Sequence, residues 1–166
     1  MLSAISLLVL LSLTSSEFGS QAVVAPKKID EFKDICCEDE EARLDYFAIE
    51  LQHNPSAQGV IIFYGGQLYR SCWYGGPRYG ERRPRYGEAE ARAARLKPYL
   101  TNSRHLDPER IVVVNGGFRE SWMAELWLVP TGAKTPVPTP TLDRKDIRYR
   151  RGKVARREFH LQCVVG

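Results

Sequence analysis

The chain has no apolar run long enough to cross a bilayer as a helix. Its longest, Leu2 to Leu13, is interrupted only by Ser3, Ser6 and Ser12 and falls well short of the roughly 20 residues a spanning helix needs. Histidine is scarce, at three residues, and methionine scarcer, at two. The G-x-S-x-G, H-E-x-x-H, Walker and G-x-G-x-x-G patterns are all missing, so no common hydrolase, metalloprotease or nucleotide-binding class is indicated. There is no C-x-x-C pair, and only His160-x-x-Cys163 has short metal-like spacing. A zinc site is therefore not expected. No catalytic residue, metal or cofactor is expected either, and the chain reads as a non-enzyme.

What is present is an ordinary globular composition. The 166 residues carry 24 Lys+Arg against 20 Asp+Glu, for a net charge of +4, and are 43% hydrophobic. That fits one domain, or one domain with a tail. The charge is too small to imply nucleic acid as a partner. Leu2 to Leu13 suits the apolar core of a secretory signal peptide, and Ser20-Gln21-Ala22 offers a cleavage site, although no Lys or Arg precedes the run. The expectation is a signal peptide over 1–22 and export to the periplasm or cell envelope, or out of the cell. The mature chain would have 144 residues, net charge +5 and no transmembrane segment.

Export places Cys36, Cys37, Cys72 and Cys163 in an oxidising compartment. A bridge between adjacent Cys36 and Cys37 needs strained geometry. Two pairings remain, each joining one of the adjacent pair to Cys72 and the other to Cys163. Such long-loop bridges typically stabilise by about 2–4 kcal/mol.

Charge divides the chain. Residues 30–50 hold nine acids against Lys33 and Arg43, and residues 70–95 hold seven arginines against three glutamates. Pro130 to Thr141 contains four prolines and reads as an extended linker. Residues 144–157 carry eight cations against Asp146 alone. The basic zones could face an anionic polymer, or they could be solvated, or they could pair with the acidic zone. Within the first basic zone Pro77-Arg78-Tyr79-Gly80 recurs as Pro84-Arg85-Tyr86-Gly87. Arg78, Tyr79, Arg85 and Tyr86 thus present cations and flat rings suited to sugars or anionic polymers.

Periodicity predicts a strand near Ile29–Ile35 and a helix over Glu38–Gln52, with Leu44, Phe47, Ala48 and Leu51 on one face and Asn54-Pro55 ending it. A buried strand follows at Val60–Tyr64, then a long loop over 65–87. The next helix, Glu88–Leu100, contains Pro98, which should kink or shorten it. Asp107-Pro108 is a turn, Arg110–Val114 a strand, Asn115-Gly116-Gly117 a turn, and Ala124–Val129 a strand. The order is β-α-β-α-β-β. It predicts an α/β (α+β) sandwich with two helices on one face of a mixed sheet. Beyond it, Ile147 and Tyr149, then Phe159, Leu161, Cys163 and Val165, alternate as in a hairpin or an edge strand. A disordered basic tail is the other reading. The expected boundaries are 1–22, 23–130 for the domain, 131–143 for a Pro/Thr-rich linker and 144–166 for the basic hairpin or tail.

Arg92-Ala93-Ala94-Arg95-Leu96-Lys97-Pro98-Tyr99-Leu100 resembles the R-A-x-x-V-x-x-Y-L helix of OmpA-like peptidoglycan-associating domains. His105 to Ile111 is similar to that family's G-I-x-x-x-R-I segment, Gly116 to Glu120 to its G-x-G-E turn, and Leu44–Leu51 with Asn54-Pro55 to its first helix. The resemblance spans about residues 29–130. It implies non-covalent attachment to the cell wall, where an Asp and the helix Arg grip the diaminopimelate of peptidoglycan. The Asp would pair with the ammonium and the Arg with the carboxylate. Arg92 matches the Arg. The Asp is unmatched: Gly65-Gly66-Gln67 stand there, leaving Gln67 or a glycine in its place. The implied ligand is peptidoglycan or another anionic envelope polymer. The alternative is a disulfide-braced module that binds an envelope protein, its wall site lost. For Arg92 itself, a surface helix arginine paired with Glu88 is the competing reading.

Overall fold

The computed structural model describes residues 24–69 and 82–154. The stretch 1–22 expected as a signal peptide, the first Arg/Tyr repeat with Arg78 and Tyr79, and Cys72 and Cys163 lie outside the described residues.

Strand β1 (Lys27–Lys33) leads into helix α1 (Cys37–His53). Glu38, Asp39 and Glu40 crowd its first turn, where the unbonded N–H groups favour negative charge. Leu44, Phe47, Ala48 and Leu51 are all buried on one stripe, as their spacing predicts. Full burial of Leu44, Phe47 and Leu51 contributes roughly 1.5–3 kcal/mol each. Strand β2 (Gln58–Leu68) follows, then a two-residue strand β3 (Arg85–Tyr86). Helix α2 (Glu88–Ala93) is succeeded by a short helix α3 (Leu96–Pro98) and a π-turn over Tyr99–Ser103. The single helix expected over Glu88–Leu100 is thus broken at Ala94–Arg95. Pro98 explains it, because proline cannot bond to the carbonyl four residues back, that of Ala94, and its ring crowds that carbonyl.

Strands β4 (Ile111–Ser121) and β5 (Met123–Val129) complete the main sheet. Its order is β1-β5-β2-β4. Strand β5 runs antiparallel to both β1 and β2, and β2 runs parallel to β4. The fold is therefore the expected mixed sheet with its helices on one face. Phe32, Ile61, Phe63, Ala124, Leu126 and Leu128 point to the helices and join Leu44, Phe47, Leu51, Ala89, Ala93, Leu96 and Leu100 in the main core. The alternate residues Val60, Ile62, Tyr64, Met123 and Val129 form a second cluster on the opposite face.

Asn115-Gly116-Gly117 is not a turn. Strand β4 passes through it to Ser121, with a register skip where Phe63 and Gly65 face Asn115 and Phe118. Gly117 takes φ +93° there, a conformation that glycine adopts without penalty. The chain reverses at Trp122, between β4 and β5.

The Pro/Thr-rich stretch is laid against the sheet as a strap. Thr131 Oγ1 donates to the Ser56 carbonyl (2.7 Å), the Thr139 N–H donates to Tyr64 Oη (3.1 Å), and the Thr141 and Leu142 N–H groups both donate to the Phe118 carbonyl. After a 3-10 turn (Arg144–Asp146), strand β6 (Arg150–Lys153) pairs in parallel with β3. Residues 144–154 dock on the domain through β6, which pairs with β3 and not with the main sheet, and through the buried Ile147 and Val154. Phe159 to Val165 lie outside the described residues. No helix among the described residues is long and apolar enough to cross a membrane.

Candidate binding cleft

A cleft of about 580 Å³ opens beyond the carboxyl halves of the parallel strands β2 and β4, the end at which open α/β sheets usually hold ligands. Gly65, Gly66, Asn115 and Phe118 come from those strands, Glu88 and Ala89 from the start of α2, Arg85 and Tyr86 from β3, and Arg144 and Tyr149 from the C-terminal segment. Tyr86 and Tyr149 meet edge to face, ring centroids 5.8 Å apart. The Arg144 guanidinium lies 5.8 Å from the Tyr86 ring and donates to its hydroxyl at 3.4 Å. Tyr86 remains 53% exposed and Tyr149 37%. The cleft thus offers two cationic arms and two amphipathic rings on a floor of backbone.

Beneath the floor lies a buried ionic network. Glu88 is fully buried. Its carboxylate accepts two bonds from the Arg82 guanidinium (2.5 and 2.9 Å) and one from the Arg85 backbone N–H (2.9 Å). Arg92 Nε stands 3.7 Å from it. Burial pushes the Glu88 carboxyl up, but these bonds and the charges of Arg82 and Arg92 outweigh burial and hold it below the ordinary glutamate value. Arg92 is 5% exposed. It bonds to Asp34 and stacks near the rings of Tyr69 (4.8 Å) and Trp122 (5.8 Å). Burial drives the Tyr69 hydroxyl well above its usual range. Arg92 thus pairs with Glu88 one turn back, as the competing reading expects, but it is buried and not on the surface. It sits behind Glu88, with Asp34 as its acid.

The acidic and basic zones pair with each other. Besides Arg92–Asp34, Arg95 grips Glu40 and Arg104 grips Asp45. The Arg104 hydrogen bond, with one from the Tyr99 hydroxyl, keeps the Asp45 carboxyl low despite partial burial. These three ties lace α1 and its approach to the broken second helix.

Gln67 does not enter the cleft. It lines a separate groove of about 550 Å³ with Leu68, Arg83, Lys145, Asp146 and Arg148. Gly65 and Gly66, which stand before Gln67, are closely packed. A Cβ on Gly66 would stand 2.2 Å from the Trp122 backbone nitrogen, and one on Gly65 2.7 Å from the Phe118 ring. No side chain fits at either place. Cys36 and Cys37 flank the approach to α1, and both are disulfide-bonded.

Sequence reasoning missed Asp34, Tyr69, Trp122, Arg144 and Tyr149. Tyr149 carried a signal in its alternation with Ile147, Arg144 in the basic run 144–157, and Asp34 in the acidic run 30–50. A second buried carboxylate, Glu125, lies on the opposite sheet face among Lys28, Arg119, Tyr64 and Trp127. No cluster of three or more His, Cys, Asp or Glu is placed to hold a metal among the described residues. No protein-family model and no curated protein matches the chain.

Proposed function

We propose that the protein is an exported, non-catalytic binding module of the cell envelope, whose cleft takes an anionic piece of peptidoglycan or of another envelope polymer. The observation that carries this reading is the cleft itself, with Arg85 and Arg144 on its walls and Tyr86 and Tyr149 beside them. Guanidinium forks suit a carboxylate, and tyrosine faces suit a sugar or peptide plane. The β-α-β-α-β-β order and the resemblance of Arg92–Leu100 to the OmpA-like helix support the same reading. In it, Arg85 and Arg144 touch the ligand, while Arg92 holds Glu88 and the floor in place. The disulfides of Cys36 and Cys37 brace the side of the domain that carries Asp34.

One observation favours a second reading, a protein-binding module that has lost its wall site. Arg92, the residue matched to the family's grip, already has an internal acid in Asp34.

Co-sedimentation of residues 23–166 with purified peptidoglycan across a salt series separates the two. The first reading expects saturable binding with a shallow salt dependence, weakened at least tenfold in the Arg85→Ala/Arg144→Ala double variant. No enrichment over a charge-matched control protein, or no loss in the double variant, would sink it.

A further inference from the structure

We propose that the outer side of the ridge built by β6 and the 3-10 turn before it is a second binding site, adjoining the cleft, for the phosphate groups of a linear envelope polymer. Residues 144–154 hold six cations against Asp146. With a chain total of +4, the rest of the protein sums to −1. The positive charge of the molecule is therefore concentrated on this one short segment.

The ridge is built rather than trailing. Ile147 and Val154 are buried anchors. The Arg150 N–H donates to the Pro84 carbonyl at 2.9 Å, and the Val154 N–H to that of Tyr86 at 3.4 Å. Held in this way, Arg148, Arg150 and Arg151 are exposed. Together with exposed Arg83 they have no acidic partner among the described residues, whereas Arg43, Arg82, Arg92, Arg95, Arg104 and Arg119 all do. A groove of about 550 Å³ lies along one side of the ridge, where Arg83 and Arg148 face it with the Gln67 amide between charged neighbours.

Three features select the ligand. Fixed guanidiniums outnumber ammoniums here, and the planar fork suits phosphate oxygens in pairs. Gln67 adds neutral donors, which an anion with several oxygens can use. A protein partner fits poorly. Protein interfaces bury an apolar centre, but the ridge has spent Ile147 and Val154 on its own docking, and the exposed Leu68, Tyr86 and Tyr149 leave no aliphatic cluster beside it. A polymer held mainly by charge needs no such centre. The inference rests on the envelope reading only for the compartment in which the polymer is met. Arg144, at the start of the ridge, also lines the cleft, and the proposed site is carried by Arg83, Arg148, Arg150 and Arg151.

The test uses the full chain and long-chain inorganic polyphosphate as the probe, followed by fluorescence anisotropy between 50 and about 300 mM salt, with polyglutamate of equal charge alongside. Polyphosphate is expected to bind at least tenfold tighter than polyglutamate, with affinity falling steeply as salt rises. The Arg148→Glu/Arg150→Glu/Arg151→Glu variant should lose at least tenfold, and Arg83→Ala, which leaves the docked segment untouched, about threefold. Lys27→Ala, at an exposed cation on edge strand β1, should lose nothing. Equal binding of both polymers, no loss in the triple variant and in Arg83→Ala, or no polyphosphate binding at all would each overturn the proposal. Because peptidoglycan co-sedimentation reads the cleft, loss of one site leaves the other's measurement standing.

Discussion

Replacing Glu88 by alanine removes the acid that three arginines surround. Arg82, Arg85 and Arg92 would remain at the cleft floor with Asp34 as the nearby carboxylate. Glu88 is fully buried, so nothing restores its solvation, and breaking a buried pair by deleting one partner typically costs about 3–5 kcal/mol. That is a large share of the roughly 5–15 kcal/mol that stabilises a domain. Glu88→Gln keeps the volume and an acceptor for the Arg85 N–H but loses the charge-assisted bonds to Arg82, so its cost should be smaller, about 2–3 kcal/mol. Urea unfolding followed by tryptophan fluorescence reads both. With slopes of about 1–3 kcal/mol per M, the Glu88→Ala midpoint should fall by roughly 1–5 M at unchanged slope. Glu90→Ala, two residues on and exposed, should stay within about 0.5 kcal/mol of the parent. A Glu88→Ala loss below about 1 kcal/mol would refute the reasoning, because it would mean that solvent or neighbouring acids already hold the arginines.

Other outcomes follow from the same geometry. Glu88, Asp45 and Glu125 all have depressed carboxyls. Their stabilisation is complete above the unfolded carboxylate range near 4 and is lost as pH falls through the lower folded values. Melting temperature should therefore be flat between about pH 5 and pH 9 and fall below about pH 4. Burial and the bond to Asp45 push the Tyr99 hydroxyl up to about 12. Its protonated form is favoured in the fold, so stability present below about pH 10 is lost as pH rises towards 12, and Tyr99→Phe should soften that alkaline limb. Gly66→Ala drives a methyl into the Trp122 and Ser121 backbone and should cost about 3 kcal/mol or more in the same urea assay.

Much of the fold was legible because periodicity is a local property. Leu44, Phe47, Ala48 and Leu51 mark the α1 face, and the apolar run Val60–Tyr64 marks a strand buried on both sides. Two features were missed where local signals conflict with pairing. Asn115-Gly116-Gly117 has the composition of a turn, yet pairing with β2 carries the strand through it as a bulge. Prolines 136, 138 and 140 read as an extended linker, without sign of the hydrogen bonds that tie that stretch to Phe118 and Tyr64. The site was less legible for the same reason. Arg92 stood out by its motif, but its partner Asp34 is 58 positions away, and sequence spacing alone does not pair them. Arg144 and Tyr149 reach the cleft only because β6 docks on β3.

The central claim is that the cleft, not the surface as a whole, holds an envelope ligand. Titration of the labelled protein with soluble peptidoglycan fragments, followed by amide and aromatic NMR shifts, tests it directly. The account predicts saturable shifts at Gly65, Gly66, Tyr86, Gly87, Asn115 and Tyr149, abolished by Arg85→Ala/Arg144→Ala. No shifts in the cleft at saturating ligand, or shifts confined to Arg148–Arg151, would contradict it.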